Sequence, residues 1–496
     1  MASKIDIIFE RRNSELAEKQ SNWELIFNSY VGGVAFSNAG YLIRYPKESI
    51  KSFTARKERA VYFNQVSPIV DMLSGLLFLN KPTRNISKDM EYLLTNVSRS
   101  KSLNEFSRLA AAYSFMFTCG VLIDTPQYDP QIIKTRKDRI DNKINPYAIL
   151  YLPFKIRDFS INNVDGELDW IILDDSYIEN SDPFIPQSKV IKYTLWKRET
   201  YQIFEKEERT GIIKEYDEVP HKVGYVPFKF ISWRDDNNDF VGETVCEDIA
   251  MISKLIYNDM SYMDEMLASG TFKMLAYPSR SGEIPPEMKH GGVGPLSIIP
   301  YDGNFSTQPS FIGADLAEID PFLKAINFYM SEILKKVGLN TDETKEFVKS
   351  GAAKKIDFQK MRSLLIAGAL MMGSLEEWII ETASRLDGKK NIETKCEYTT
   401  AFSDEDLESE VTMLTELLVQ PVKELRVNVL NILAKKLLTN YLDQDKLELI
   451  YKDIKKSIGG DEPFEKTPVE KNSDQFKASV EGSVNKILEE EQGDES

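Results

Sequence analysis

Histidine and cysteine are scarce in this chain of 496 residues, and their scarcity excludes several kinds of site. His221 and His290 are the two histidines, which is too few for the metal centres and catalytic triads that need several. The three cysteines, Cys119, Cys246 and Cys396, are too scattered for a disulfide framework and favour a reducing compartment. The motifs CxxC, HExxH, GxxxxGKS/T and GxGxxG do not occur. We therefore expect no metal ion, no cofactor and no enzymatic activity of those classes.

Long hydrophobic runs are also lacking. The first residues, MASKIDIIFERRNSELAEKQ, are polar and charged, so we expect no secretory signal. The most apolar stretch, residues 363–380, is interrupted by Glu376 and Glu377 and lacks the run of about 20 apolar residues of a transmembrane helix. The sequence predicts a buried helix there and no membrane association.

Positive charge is in deficit, with 62 Lys and Arg against 78 Asp and Glu and a net charge of −16. This balance argues against wrapping nucleic acid over a broad surface, because lysine and arginine supply most of the affinity for phosphate. Residues 335–362 reverse the balance, with eight bases and four acids. They form a locally basic link, interrupted by Gly, Ser and Ala, between two stretches that read as helix.

The first half of the chain changes from helical to strand-like patterning. Residues 52–80 predict two helices that meet near Pro68, and residues 102–120 predict a helix with Ser102 as its N-cap. Gly120 is expected to end that helix, and a strand is expected from Val121 to Asp124. Residues 146–233 alternate polar with β-branched or aromatic residues, which indicates antiparallel strands. Helices followed by a sheet, without regular alternation, predict the α+β class.

A narrow apolar seam with helical spacing begins after Gly242. It favours either an amphipathic helix on a domain core or side-by-side packing with copies of itself. Its members are Val245, Ile249, Ile252, Ile256, Met260, Met263 and Leu267.

The order of the remaining segments completes the pattern. A Pro- and Gly-rich strand insertion, a helix ending near Gly338, the basic loop, a helix from Lys354 to Leu386 and a returning strand at 391–402 follow one another. Further helices are expected after Ser403, which reads as an N-cap, and from Pro421. The end of the chain, from residue 461, is acidic and poor in apolar residues, which predicts a mobile tail.

Two local sequences and this order carry a resemblance to a known family. The stretch RKERAVYFNQVSPIVDMLSGLLFLNKP resembles the N-terminal helices, and GLNTDETKEFVKSGAAKKIDFQKMRSLL resembles the tunnel loop and following helix, of the portal proteins of tailed bacteriophages. The resemblance extends over residues 25–455. It implies a portal-type fold with an α/β wing, long stem helices, a strand-containing clip, a tunnel loop and a helical crown. On this chain the segments would be the wing at 1–240, stem helices at 241–268 and 316–338, the clip at 269–315, the tunnel loop at 339–353, the long helix and returning wing strand at 354–402, the crown at 403–460 and the tail at 461–496.

The resemblance also implies a function. Portal proteins are not enzymes; they form rings, typically of twelve subunits, at one capsid vertex of the virion, after assembly in the host cytoplasm. Double-stranded DNA passes through the ring during packaging and ejection. The implied partners are the terminase large subunit, head-completion, adaptor or tail proteins, and the major capsid and scaffolding proteins.

Two sets of residues are candidates for facing the channel. Four loop lysines would approach the DNA backbone, or would instead pair with Asp342, Glu343, Glu346 and Asp357 at a subunit interface: Lys345, Lys349, Lys354 and Lys355. Four acids would form a channel wall that repels phosphates: Glu243, Glu247, Asp248 and Glu265. Two alternatives remain, which are another connector or capsid-assembly protein and a carboxylate-dependent nucleic-acid hydrolase.

Overall fold

The protein belongs to the mixed α+β class, as the sequence predicts. The computed structural model describes residues 4–98, 100–126, 142, 144–180, 187–221, 223–234, 244–271, 273–279, 298–301, 308–313, 319–339, 351–388, 394–400, 402, 413–418, 423–438 and 444–459. The chain divides into two compact units, Met1–Ser403 and Asp404–Ser496.

The first unit contains helices and four sheets in its described part. Helices α1 to α10 are Lys4–Glu10, Ser14–Val31, Gly33–Asn38, Ile50–Arg59, Val66–Leu76, Tyr92–Thr95, Leu103–Met116, Val245–Thr271, Ile319–Lys336 and Gly351–Leu386. Strands β1 to β15 are Thr83–Asn85, Cys119–Asp124, Tyr147–Tyr151, Ile156–Ile161, Leu168–Asp174, Tyr177–Glu179, Ser188–Lys197, Thr200–Glu207, Ile213–Glu215, Val219–Pro220, Phe228–Ile231, Met274–Pro278, Ile298–Tyr301, Ser310–Ile312 and Lys395–Glu397.

The N-terminal helices follow local sequence signals closely. Helices α4 and α5 are the pair expected around Pro68, which lies in the first turn of α5, where its missing N–H costs nothing. Ser102 caps α7 as predicted, because its hydroxyl accepts from the backbone of Glu105 while the Glu105 carboxylate accepts from the backbone of Ser102. Phe106 and Met116 of α7 are buried in the core of the unit.

Antiparallel sheets occupy the region that the period-2 pattern predicts. A seven-stranded sheet runs in the order β10-β8-β7-β5-β4, with β6 and β9 pairing at its margins, and β11-β2-β3 form a smaller sheet. Strand β2 begins at Cys119 rather than at Val121, because Cys119 and Gly120 pair with Ile231 and Phe230 of β11. The ring of Phe228 lies over Gly120, where a Cβ atom would come within 1.8 Å of it.

Helices α8 and α9 form a long pair and are separated in the sequence by a small sheet. Helix α8 has 27 residues and α9 has 18. Strands β12, β13 and β14, a three-stranded sheet in the order β13-β12-β14, lie between them in the sequence. The predicted stop at Gly338 agrees with its φ of 76°, a left-handed conformation that glycine adopts without strain. The apolar seam is partly explained by the core of this chain, since Ile249 and Ile256 are buried there.

Helix α10 runs for 36 residues and is the main core helix of the second half of the unit. It begins at Gly351 rather than at Lys354, because Ala352 and Ala353 are strong helix formers and extend it backwards. By length and composition the part Gln359–Leu386 could cross a membrane, but half of its most apolar window is buried inside the protein. Leu365, Met372 and Ile379 are fully buried, which confirms the expected core helix.

The end of the first unit returns to its beginning. Strand β15 pairs antiparallel with β1, with Cys396 opposite Arg84. In the second unit, α11 is Lys423–Leu438, α12 is Gln444–Gly459, and residues 413–417 are also helical. Ser403, Pro421 and the acidic tail lie outside the described residues.

Candidate functional site

The helix pair α8 and α9 is the candidate site, together with the start of α10. Helices α8 and α9 pack against each other, and an ion pair between Asp248 and Lys336 joins the N-terminal end of α8 to the C-terminal end of α9, which together indicate an antiparallel pair. Ile333 and Val337 are buried at this end of the pair. At 1.5 Å per residue, α8 is about 40 Å long.

The predicted acidic wall residues that the structure describes all contact other parts of the same chain. The Asn22 side chain donates to Glu247 at 2.6 Å, Lys336 pairs with Asp248, and Arg59 pairs with Glu265. Glu243 lies outside the described residues. These contacts attach α8 to the N-terminal helices and to α9. That these acids line a channel stays a prediction.

A buried arginine that the sequence did not single out fixes the second half of α8. Arg56 is 1% exposed and binds both carboxylate oxygens of Glu48, at 2.9 and 2.8 Å. It also donates to the hydroxyl of Ser261 on α8 at 3.1 Å, and its guanidinium lies 4.4 Å from the centre of the Tyr45 ring. The guanidinium lowers the pKa of Glu48. The rings of Phe53, Tyr45 and Tyr262 surround it, and because Tyr262 is distant in sequence, this environment was not visible in the sequence.

The basic link is described only at its two ends. Lys345 and Lys349 lie outside the described residues, as do the proposed partners Asp342, Glu343 and Glu346. The backbone of Lys354 and Lys355 belongs to the first turns of α10.

The two ends of the link are joined by one hydrogen bond. The ammonium group of Lys360 donates to the carbonyl oxygen of Lys335 at 3.1 Å, which ties the start of α10 to the end of α9. The link therefore connects two helix ends that the fold already holds together.

A buried carboxylate anchors the other half of α10. Glu376 is fully buried, and Arg84 donates to both of its oxygens at 2.7 Å. Ser107 and Tyr398 each donate a further hydrogen bond of 2.6 Å. A buried charge is tolerated only when it is paired and hydrogen-bonded, and here four donors meet that need. In the sequence, Glu376 was visible only as an interruption of an apolar run. An acid inside a buried helix needs a buried partner, and this need was the signal that could have pointed to the site.

Groups that could support other chemistry are few. The described residues contain no cluster of three or more His, Cys, Asp or Glu side chains that could hold a metal ion. His221 is buried, its ring lies 2.9 Å from the carbonyl oxygen of Lys197, and burial lowers its pKa. The three thiols are free and buried, and burial raises their pKa values. The glycine-rich stretch at 290–295 lies outside the described residues.

Comparison with known proteins gives similarity in structure only. No protein-family model matches the sequence, and no curated protein matches it at a significant level. A chain in the virion of a native gene transfer agent particle is 10% identical, with a TM-score of 0.43 and coverage of 83% of this chain and 93% of that one. A chain from the neck of an empty gene transfer agent particle, computed with C6 symmetry, is 12% identical, with a TM-score of 0.38 and coverage of 80% and 98%. Similarity at this level carries no information about activity.

Proposed function

We propose that this chain is a structural protein of a phage-like virion that assembles into a ring at the junction of head and tail. Within that class, the proposed protein is a portal protein, whose ring surrounds the DNA channel. The observation that carries the proposal is the order of elements along the chain. An α+β body is followed by α8, a small sheet and α9, and then by a helix of 36 residues, with α8 and α9 forming an antiparallel pair. This order of elements supports the proposal because it resembles the order of segments in portal proteins.

The physical features of the chain suit a channel that does not retain its cargo. In a ring of more than two copies, each contact uses two different surfaces of the chain, and such contacts form a ring when the rotation closes. A net charge of −16 disfavours tight phosphate binding over a broad surface, which would let DNA slide past the wall. The link between α9 and α10 is the part of the site with local positive charge, and it would supply weak contacts that do not depend on base sequence.

The role of such a ring requires no chemistry from this chain. Double-stranded DNA would enter and leave through it, and a terminase motor would supply the energy of packaging. Adaptor or tail proteins would replace the motor afterwards, and capsid and scaffolding proteins would hold the ring at the capsid vertex. The chain would be found in the virion after assembly in the host cytoplasm.

Electron microscopy of the purified full-length chain tests the proposal. We expect end-on views to show closed rings with a central hole, and native mass spectrometry to give a single multiple of the subunit mass near twelve. A chain that remains monomeric at micromolar concentration would contradict the ring. Stacks or sheets without a central hole would favour the alternative of another connector or capsid-assembly protein.

Replacing the candidate loop lysines tests their contact with DNA. Particles assembled with Ala at Lys345, Lys349, Lys354 and Lys355 should package or retain less DNA than the parent. A matched control replaces four exposed lysines elsewhere, at Lys47, Lys51, Lys57 and Lys189. If both variants package and retain DNA as the parent does, the lysines do not contact it. Divalent-dependent cleavage of DNA by the purified chain, with clear turnover, would support the hydrolase instead.

A further inference from the structure

A second face of α8 carries two exposed apolar side chains between two acids. Residues 248, 251, 255 and 259 recur at spacings of three and four and form what we call the acidic stripe: Asp248, Met251, Leu255 and Asp259. Met251 is 46% exposed and Leu255 is 43% exposed, whereas Ile249 and Ile256 of the seam are buried in the core of the chain. The stripe is therefore a different surface from the seam that the sequence emphasised.

Helix α9 carries a stripe of opposite charge on an exposed face. Its members recur at spacings of four, three and four and form what we call the basic stripe: Lys324, Phe328, Ser331 and Lys335. The Phe328 side chain is 58% exposed, which is unusual for a large aromatic residue on a helix. On α9 this stripe lies about half a turn away from the buried Ile333, at 100° per residue.

The two stripes match when the helices run in opposite directions. Asp248 and Asp259 are 11 residues apart, and so are Lys324 and Lys335. Leu255 is seven residues from Asp248, and Phe328 is seven residues from Lys335. An antiparallel arrangement thus sets both lysines level with the acids and Phe328 level with Leu255, over about 16 Å.

The ion pair within the chain fixes the height at which this match occurs. Asp248 pairs with Lys336 of its own chain, so the ends of the two stripes already lie at the same level along the helices. A rotation about an axis parallel to the helices keeps every residue at its own height. In a ring whose axis runs parallel to the two helices, the basic stripe of a rotated copy would meet the acidic stripe in the matching register without any shift along the axis.

We propose that the acidic stripe of one subunit packs against the basic stripe of the next subunit around the ring. The inference rests on the proposed ring and names the surfaces that close it. Phe328 packs against Met251 and Leu255 at the centre, and Asp259 pairs with Lys324 at one end. Because the stripes belong to different helices, the contact is heterologous, as ring closure requires.

The present surroundings of the end pair agree with a missing partner. Asp259 is half-buried, burial raises the pKa of its carboxyl group, and no ion pair to it exists among the described residues. Lys324 is exposed and likewise has no acidic partner in the described part of the chain. An apolar centre with charges at its ends has the composition of a protein–protein contact.

A pair of cysteines tests the contact directly in the full-length chain. The double variant Leu255→Cys, Phe328→Cys is oxidised and run on a non-reducing gel, and we expect a ladder of covalent multimers up to the size of the ring. The native thiols are buried and give little background. Each single variant is the matched control and should remain uncrosslinked.

The gel outcomes separate the two proposals. Rings in the electron microscope without a ladder on the gel would overturn this contact while leaving the proposed function standing. A ladder that stops at two would mean a closed dimer and would overturn it as well. If the parent chain forms no rings and the double variant gives no ladder, both the ring and this contact are overturned.

Exchange of charge gives a second, independent measurement. Asp259→Lys and Lys324→Asp should each raise the concentration at which rings dissociate by at least tenfold, and the double exchange should restore most of the loss. Glu58→Lys, at an exposed carboxylate on α4, is the control and should leave assembly unchanged. Circular dichroism verifies that each variant is folded. Equal assembly of the parent and Asp259→Lys, or no rescue by the double exchange, would overturn the inference.

Discussion

Removing Arg84 should strongly destabilise the first unit, because it leaves the carboxylate of Glu376 buried without its cation. The substitution Arg84→Met preserves most of the side-chain volume but abolishes two hydrogen bonds of 2.7 Å to a fully buried group. Breaking a buried ion pair by removing one partner costs about 3–5 kcal/mol. At about 2 °C per kcal/mol for a large unit, the melting temperature should fall by about 6–10 °C.

A double variant makes this prediction specific to the charge. Adding Glu376→Gln removes the buried charge while keeping groups that can bond to Ser107 and Tyr398, which both lie 2.6 Å from Glu376. The double variant should therefore melt closer to the parent than Arg84→Met does. The assay is thermal unfolding followed by tryptophan fluorescence at one scan rate. If Arg84→Met melts within about 1 °C of the parent, or the double variant is no better than the single, the argument fails.

Three further variants probe other parts of the same unit. Burial raises the pKa of Asp124 to about 6, so the charging of this carboxyl group opposes folding as pH rises through 6. Asp124→Asn should therefore stabilise the protein above that pH by up to about 3 kcal/mol and have no effect below about pH 4. Urea unfolding measured across this pH range tests the prediction. Gly120→Ala places a methyl group against the Phe228 ring and should cost at least about 1–3 kcal/mol in urea unfolding, with partial rescue by Phe228→Leu. Lys336→Met removes an exposed ion pair to Asp248 and should change stability by less than about 1 kcal/mol; a larger loss would mean that the pair is buried in the assembly.

Local signals in the sequence predicted much of the first unit. Ser102 with Glu105 predicts the start of α7, and Gly338 predicts the end of α9, because caps and left-handed glycines act through neighbours in sequence. Strand alternation over 146–233 likewise depends on neighbours in sequence and marked the antiparallel sheets.

Contacts between distant segments were beyond the reach of such signals. The roles of Arg56 and Glu376 depend on partners elsewhere in the chain, such as Ser261 and Tyr398, so neighbours in sequence did not predict them. The spacing of apolar residues predicted the seam on α8, but which faces of α8 are buried depends on the elements that pack against it. The sequence therefore did not indicate that Met251 and Leu255, which lie outside the seam, are exposed.

The anchor of α10 also has a consequence for synthesis of the chain. Arg84 and Glu376 are separated by 292 residues. At about 5–20 residues per second, roughly 15–60 s pass between the emergence of these two residues from the ribosome. Throughout that interval strand β1 has no partner, because β15 is made later still. The β1–β15 pairing and the hydrogen bonds of Glu376 to Arg84 and Tyr398 can therefore form only after translation has passed residue 398.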